Sequence, residues 1–430
     1  MDKKQLTFID LFAGAGGLSE GFIKAGYMPI AHVEMKKDAC DTLKTRAAFH
    51  YLKANGQLDI YTDYLRNKKE RTDGQALWSK VPHEVTDKVI QATISEETMP
   101  DLIARIERLQ GGRKIDLIIG GPPCQAYSVA GRARLGNKVE EDPRNFLYLY
   151  YLQFLDRFKP KMFVFENVTG IKTALDGGPF NDLTKKADEL GYKIEPREQV
   201  ASDFDVLQNR HRMIIVGWRK EDDNKKPTTY HYPDLTPHPT KYKIRRDLFA
   251  DLPERKSGEG RLCEAVKYTR PIEDMKYLEE SGIRGELDFT TQHVARANNA
   301  DDREIYCIAV NKWKNGERLN YSTLPPRLQH HKNKQTFLNR FCVVNPDGCS
   351  HTLVAHIAMD GHYFIYPTEN PTVENVRSIT VREAARIQSF PDDYFFEGSR
   401  TSVFRQIGNA VPVMMAYNIA LAIRRQIKEE

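Results

Sequence analysis

The chain opens on a mostly apolar run, Leu6 to Phe12 (LTFIDLF), too short for a helix and patterned like a buried strand. GAGGLSEGFIKAG then reads as a glycine loop opening a helix, and YMPIAHVE as the next strand, which together make a βαβ unit. The order strand, helix, strand returns in KIDLIIGG, FLYLYYLQFLDRF and KMFVFENV, and RMIIVGW supplies a further apolar strand. Alternation of this kind predicts an α/β domain with a largely parallel sheet between helices. From Phe49 to Lys114 the pattern is polar, with mixed helical spacing and few strand signals, and reads as an insertion over about 50–114. After Trp218 prolines, tyrosines and basic residues crowd KKPTTYHYPDLTPHPTKYKIRRD, and clear periodicity is lost until about residue 340. TVREAARIQ and VMMAYNIALAIRRQI then read as helices. The expected division is a first domain over 1–218, a second lobe over 219–377, and a return over 378–430 that completes the first domain.

Composition narrows the class without naming it. With 430 residues, 40% hydrophobic and 29% charged, the chain is an ordinary globular protein large enough for two lobes. There is no internal repeat, and no uninterrupted apolar run of the roughly 20 residues a membrane span needs. MDKKQLTFIDLF moves directly into a strand pattern, so a cytoplasmic monomer with no membrane role is expected. Six cysteines without a C-x-x-C pair fit a reducing compartment. The net charge of +5 permits an anionic partner but does not identify one.

Local clusters carry more. Phe12, Ala13, Gly14, Gly16 and Gly17 lie between a strand and a helix, where missing side chains let a ligand approach the backbone. Glu34 ends the next strand, where an acid can accept both hydroxyls of a ribose. The loop lacks the third glycine of the dinucleotide fingerprint, and a tight packing turn is the competing reading. Gly120-Gly121-Pro122-Pro123-Cys124-Gln125 follows a strand, so Cys124 stands where open α/β sheets place active sites. Arg132, Arg134 and Lys138 downstream supply the positive potential that makes a thiolate. Glu166, in Phe165-Glu166-Asn167-Val168, ends another apolar strand; a solvated strand end is the alternative. In QNRHR, Arg210 and Arg212 are two apart entering a strand, which points both cations to one face. Cys342, Cys349, His351 and His356 match no usual zinc spacing, so no metal is expected.

GGPPCQ, FENV and QNRHR, with the DLFAGAGG start and the late RQIGNAVPV, resemble in order and spacing the motifs of the cytosine-5 DNA methyltransferases. The resemblance covers the chain apart from the 50–114 insertion and most of the second lobe. It implies a Rossmann-like S-adenosylmethionine-dependent methyltransferase fold with a smaller target-recognition lobe. Carried over by residue, it makes Cys124 the nucleophile and Glu166 the acid, with Arg210 on the target base and Arg212 supporting the site. Phe12 to Gly17, Glu34, Pro122, Leu147 and Asn409 would hold S-adenosyl-L-methionine. Four positions depart from the family pattern: Met35 where an aromatic often stacks on adenine, Thr93 where an acid is expected, Leu207 where a proline is common, and Ala130 where a serine can occur.

The activity so implied is methylation at C5 of a cytosine flipped out of double-stranded DNA. Its partners would be the duplex and a cognate restriction endonuclease or defence-system proteins. A tRNA methyltransferase would use the same motifs, but the roughly 160 residues between QNRHR and TVREAARIQ suit the reading of several base pairs. An amino-methylating enzyme would need a different residue after Pro-Pro, and a non-catalytic relative would be expected to lose Cys124 or Glu166. Within the second lobe, RLQHHKNKQTFLNR concentrates groups for DNA contact, with Gln329, Asn333, Gln335 and Arg340 as candidates for base edges.

Overall fold

Apolar residues in consecutive positions face opposite sides of a strand, so Phe8 and Ile9, Leu117 and Ile118, and Phe163 and Val164 each demand cover on two faces. The computed structural model, which describes residues 5–69, 72–123, 146–173 and 177–429, supplies it. Its main sheet contains β1 (Thr7–Leu11), β2 (Met28–Glu34), β3 (Val89–Gln91), β4 (Leu117–Gly120), β5 (Met162–Asn167), β6 (Tyr192–Val200) and β8 (His211–Arg219). The order across it is β3-β2-β1-β4-β5-β8-β6, parallel except that β8 runs against both β5 and β6.

One face, with Ile9, Ile118 and Phe163, is covered by α6 (Met99–Gln110), α7 (Leu147–Phe158) and α8 (Gly178–Glu189). The other, with Phe8, Leu117, Ile119 and Val164, is covered by α1 (Gly17–Lys24) and the last helix, α13 (Val413–Glu429). Gly21 lets these two helices meet, because a Cβ there would stand 2.4 Å from the Cβ of Ala416. The stretch Arg400–Lys428 is long and apolar enough to cross a membrane, yet 78% of its most apolar window is buried inside the fold, as in a core helix.

The expected 50–114 insertion needs correction. Residues 89–110 belong to the sheet layer, with β3 pairing to β2 and Leu102 and Ile106 of α6 in its core. A three-residue strand is too short to show alternation, so the polar sequence around it concealed it. What remains outside the layer is α3 (Leu58–Asn67), α4 (Gln75–Trp78) and α5 (His83–Thr86), with Tyr61, Leu65 and Leu77 packed on α2 (Lys37–Ala54) and on Phe289 and Phe395.

Packing also shifts the boundary expected at Trp218, since Tyr230 and Tyr232 share that residue's core. Beyond them come α9 (Lys276–Ser281), α10 (Ala300–Lys314), α11 (Val381–Ile387) and α12 (Arg400–Asn409). The strands here are two residues long: β9 (Val266–Lys267) with β10 (Phe289–Thr290), and β7 (Gln208–Asn209) with β11 (Ser350–His351). Two cores form. One joins Ile244, Leu248, Val344 and Phe364 to Ile379, Val381, Phe404 and Ile407, so residues 379–410 pack with the second lobe before α13 returns to the sheet. The other gathers Ile305, Tyr306, Tyr321, Phe341 and Val376 around α10.

Candidate active site

From β1 the chain winds through β2 and β3 to one side of the sheet, then through β4 and β5 to the other. The crevice at this reversal, beyond the carboxyl ends of the strands, is where such sheets bind ligands. The antiparallel β8 starts at the same edge, since Met213 pairs with Asn167.

On the β1–β2 side, Phe12 takes a positive φ of 58° and the Ala13 N–H donates to the carbonyl of Val33 at 3.0 Å. Glu34, only 9% exposed, accepts from the N–H of Gly14 at 2.9 Å and, through its other oxygen, from that of Lys36 at 2.7 Å. The three loop glycines do different things. A Cβ on Gly14 would meet nothing within 4 Å, so open space lies over it. On Gly16 it would stand 2.7 Å from Leu43 and 2.8 Å from the Tyr394 hydroxyl, and on Gly17 2.3 Å from the Val411 carbonyl. The packing reading therefore accounts for Gly16 and Gly17, and ligand approach is left to Gly14. Met35 is 47% exposed beside Glu34. Leu147 begins α7, half-buried, and Asn409 ends α12, exposed; among the described residues no side-chain hydrogen bond ties either to this cluster.

On the β4–β5 side, Glu166 is half-buried and its carboxylate forms an ion pair with Arg212, 2.8 Å from Nε. Gly121 sits against it: a Cβ there would lie 2.7 Å from both the Glu166 carbonyl and Oε2. Nδ2 of Asn167 donates to the Pro122 carbonyl at 3.5 Å, which fastens the turn to the end of β5. Cys124, three positions after Gly121, lies outside the described residues, as do Ala130, Arg132, Arg134 and Lys138.

The two arginines do not share a face. Arg210 falls in the break between β7 and β8, is 1% exposed, and donates to the carbonyls of Leu353 at 2.6 Å and Gly408 at 3.5 Å. Arg212, inside β8, is the one that reaches Glu166. Arg212 thus meets the acid while Arg210 is engaged with backbone carbonyls, because two-residue alternation does not carry through a strand break. Gln208 joins Arg210 in structural work: its Oε1 accepts from the N–H of Leu353 at 2.8 Å and its Nε2 donates to Gln388 at 2.8 Å. Gln208 opens the QNRHR motif, but nothing in the local pattern foretold these partners, which lie more than 140 residues away.

Four of the other thiols are poor nucleophiles. Burial, then the charge of Glu34, pushes Cys40 up to about 12, and burial raises Cys307, Cys342 and Cys349 above the ordinary thiol range. Cys342 is 3.9 Å from Nδ1 of His351, whose Nε2 bonds the Tyr363 carbonyl at 2.5 Å, while His356 pairs with Asp360. Among the described residues no group of three or more His, Cys, Asp or Glu is arranged to hold a metal.

This fold is that of solved methyltransferases. It aligns with a prophage-encoded E. coli protein assigned as a DNA modification methyltransferase (TM-score 0.57, 20% identity, 99% of this chain and 100% of that one). It also aligns with the Entamoeba histolytica methyltransferase EhMeth (TM-score 0.53, 16% identity, 99% of both). In sequence, residues 6–73 and 84–425 match the family model of the C-5 cytosine-specific DNA methylase. The type II methyltransferase M.Bpa9945I of Bacillus paralicheniformis is 40% identical over 97% of this chain and 98% of its own length. M1.HphI of Haemophilus parahaemolyticus is 27% identical over 99% of this chain and 88% of its own. The chain belongs to the C-5 cytosine-specific DNA methylase family and is a DNA cytosine-5 methyltransferase. The internal residues left unmatched, 74–83, fall in the α3–α5 excursion, which places the departure from the family inside the expected insertion but makes it far shorter.

Proposed function

We propose that the protein transfers a methyl group from S-adenosyl-L-methionine to C5 of one cytosine within a short specific duplex sequence, as the cytoplasmic modification arm of a type II restriction-modification or related phage-defence system. The type II names of its relatives support that setting. The observation that carries the chemistry is the Glu166–Arg212 pair under Gly121, three residues before Cys124.

C5 of cytosine is too weakly nucleophilic to take a methyl group unaided. The Cys124 thiolate adds to C6, its electron pair displaces ring density to C5, and C5 becomes nucleophilic. Glu166 hydrogen-bonds N3 and the amino group, stabilising the charge that develops on the ring, and Arg212 both orients Glu166 and lies on the side of O2. After methylation the C5 proton leaves and the thiolate is expelled, restoring the ring. C6 is inaccessible in a stacked duplex, so the base must first rotate out, at a cost of a few kcal/mol.

The β1–β2 edge fits a nucleoside. Each Glu34 oxygen retains acceptor capacity beyond its one backbone bond, open space lies over Gly14, and the Met35 side chain is exposed to an adenine face. Phe12, Ala13, Pro122, Leu147 and Asn409 complete the enclosure, while Gly16 and Gly17 act through packing. Bound there, S-adenosylmethionine supplies an electrophilic methyl group on its sulfonium. Residues beyond Leu235, up to about Arg377, form the lobe that reads DNA.

Duplexes carrying 5-fluorocytosine test this reading, because fluorine blocks loss from C5 and should leave a denaturation-resistant adduct. Cys124→Ala should abolish transfer and trapping while still binding DNA and cofactor. Arg212→Lys should lower kcat, whereas Arg210→Lys should lower the melting temperature first. Methylation by the Cys124→Ala variant would overturn the assignment.

A further inference from the structure

From residue 318 to 346 the second lobe has five lysines and arginines and no aspartate or glutamate. Two of the cationic groups here are neutralised in place, Arg327 by Glu304 and His330 by Asp301. Lys332 and Lys334 are exposed and make no ion pair among the described residues.

Between them and Arg340 the chain builds a rigid finger. Oδ1 of Asn333 accepts from the N–H groups of Gln335 at 3.0 Å and Thr336 at 2.9 Å, and its Nδ2 donates to the Thr336 hydroxyl at 2.6 Å. Arg340 donates to the carbonyls of Phe337 at 2.9 Å, Asn333 at 2.7 Å and Thr336 at 2.8 Å, and lies 4.3 Å from the ring centre of Tyr321. Tyr321 is itself buried, donating its N–H to Leu338 at 2.7 Å and accepting from His331 at 2.8 Å through its hydroxyl. Of the four side chains expected to read bases, Asn333 and Arg340 are therefore spent on the loop itself, and Gln329 on the carbonyls of Ser322 and Leu324. Gln335 is left exposed with its amide uncommitted to the loop. At the tip Phe337 is 71% exposed with a φ of 55°, a conformation bulky residues rarely adopt and keep only where the surroundings impose it.

We infer that residues 332–340 are a preformed DNA-reading finger: Phe337 stacks on a base at an opened step of the duplex, Lys332 and Lys334 hold the flanking phosphates, and Gln335 meets a base edge. The inference rests on the reading that the second lobe contacts DNA. A polyanion is the occupant because the two unpaired lysines, Lys332 and Lys334, flank the ring on a stretch that carries no carboxylate of its own. An aromatic held rigidly at a loop tip loses little conformational freedom on binding, and an aromatic face stacks on any base. The three backbone bonds from Arg340 are what make the ring a wedge rather than a swinging side chain.

The test uses the full chain and duplexes of its own site, located by bisulfite sequencing, with 2-aminopurine at each position around the target cytosine. The wild type should brighten the probe at one step besides the target. Phe337→Ala should abolish that signal and weaken duplex binding about 5- to 150-fold, the roughly 1–3 kcal/mol of one base–aromatic stack, with KM for DNA rising in parallel and the melting temperature unchanged. Phe337→Trp should retain both. The slope of log affinity against log salt should be unaltered in Phe337→Ala but shallower by about 2 in the Lys332→Ala, Lys334→Ala double variant. Wild-type affinity and probe signal in Phe337→Ala overturn the inference and leave the ring to a protein partner. Failure of the wild type to trap 5-fluorocytosine would instead sink the functional reading.

Discussion

The two regions of this molecule are ordered by different forces. In the sheet layer, position follows from apolar alternation: seven strands shared between two apolar cores place Leu11, Glu34, Gly120 and Glu166 along one edge. The second lobe has strands of two residues, and around its apolar cores arginines, three of them buried, hold the irregular chain. Arg377 pairs with Glu383, Arg296 donates to three successive carbonyls from Ile357 to Met359, and Arg382 donates to the carbonyls of Thr291, Pro391 and Tyr394. Arg386, fully buried, joins Asp251 and Asp392, each at 2.6 Å. A sheet satisfies its backbone through its own ladder; a lobe of irregular chain must bring donors from side chains to the carbonyls it buries.

The sharpest way to break this contrast is to remove one arginine. Arg386→Met removes the cation shared by two buried carboxylates, leaving Asp251 to Arg284 and Asp392 to Tyr268 and the more distant Arg382, and should cost about 3–5 kcal/mol of unfolding free energy, since an under-compensated buried charge is expensive. Ile118→Val, in the middle of the sheet, should cost only about 0.5–1.5 kcal/mol. Urea denaturation of the two variants measures both, and a near-neutral Arg386→Met would show that the second lobe depends on apolar packing after all.

Acid separates the regions next. Burial lowers His293 to about 4, with Arg377 and Arg255 opposing protonation and Glu383 and the Pro253 carbonyl favouring it. Burial likewise lowers His351 to about 4, aided by Arg318 and opposed by the bond to the Tyr363 carbonyl. The unfolded chain therefore binds these protons more tightly than the folded one, so the stability they contribute is present above about pH 6.5 and is lost as pH falls toward 4. Each is worth about 2–3 kcal/mol at the end of that window. In the sheet layer Glu20 behaves differently. Burial would raise it, but Arg46 and His50 hold it well below the carboxylate range, so its contribution fades only below about pH 4.5. Melting curves from pH 7 to 4.5 should show a decline that His293→Gln and His351→Gln reduce. A flat profile in the wild type would mean that neither histidine is neutral in the fold.

The same difference in forces decides what the sequence makes legible. Glu34 and Glu166 are visible because each closes an apolar run, and a run's end is a strand's end. The cue fails where regularity is short. Val89–Gln91 is a strand of three residues amid polar chain, and Arg210 stands in a break that removes it from the alternation placing Arg212. It fails again where polar side chains serve their own backbone: Asn333 and Arg340 have the composition of base readers but are the scaffold of a loop. Long-range partners leave no local mark at all. The Tyr394 hydroxyl bonds the carbonyl of Ala15, 379 residues away, and nothing around either residue announces it.

That bond is one of several that join the two regions, and it gives the smallest and most specific expectation. Tyr394 lies in a buried aromatic group with Phe390 and Phe396, its ring 4.7 Å from the Arg46 guanidinium, and its hydroxyl reaches Ala15 at 2.5 Å while crowding Gly16. Gly14, whose N–H meets Glu34, immediately precedes Ala15, so the return segment braces from behind the loop proposed to take the cofactor. Tyr394→Phe keeps the ring packing and deletes one hydrogen bond, leaving a buried carbonyl unpaired, and should cost about 0.5–1.5 kcal/mol of stability. If the brace also sets the loop, calorimetry should show S-adenosylmethionine binding weakened by roughly three- to tenfold, within the same energy range. DNA affinity in the absence of cofactor should not move. A variant that loses stability yet binds cofactor as the wild type does would mean that the close packing of Gly16 and Gly17 fixes the loop alone, and that the second lobe stabilises the sheet layer without shaping its edge.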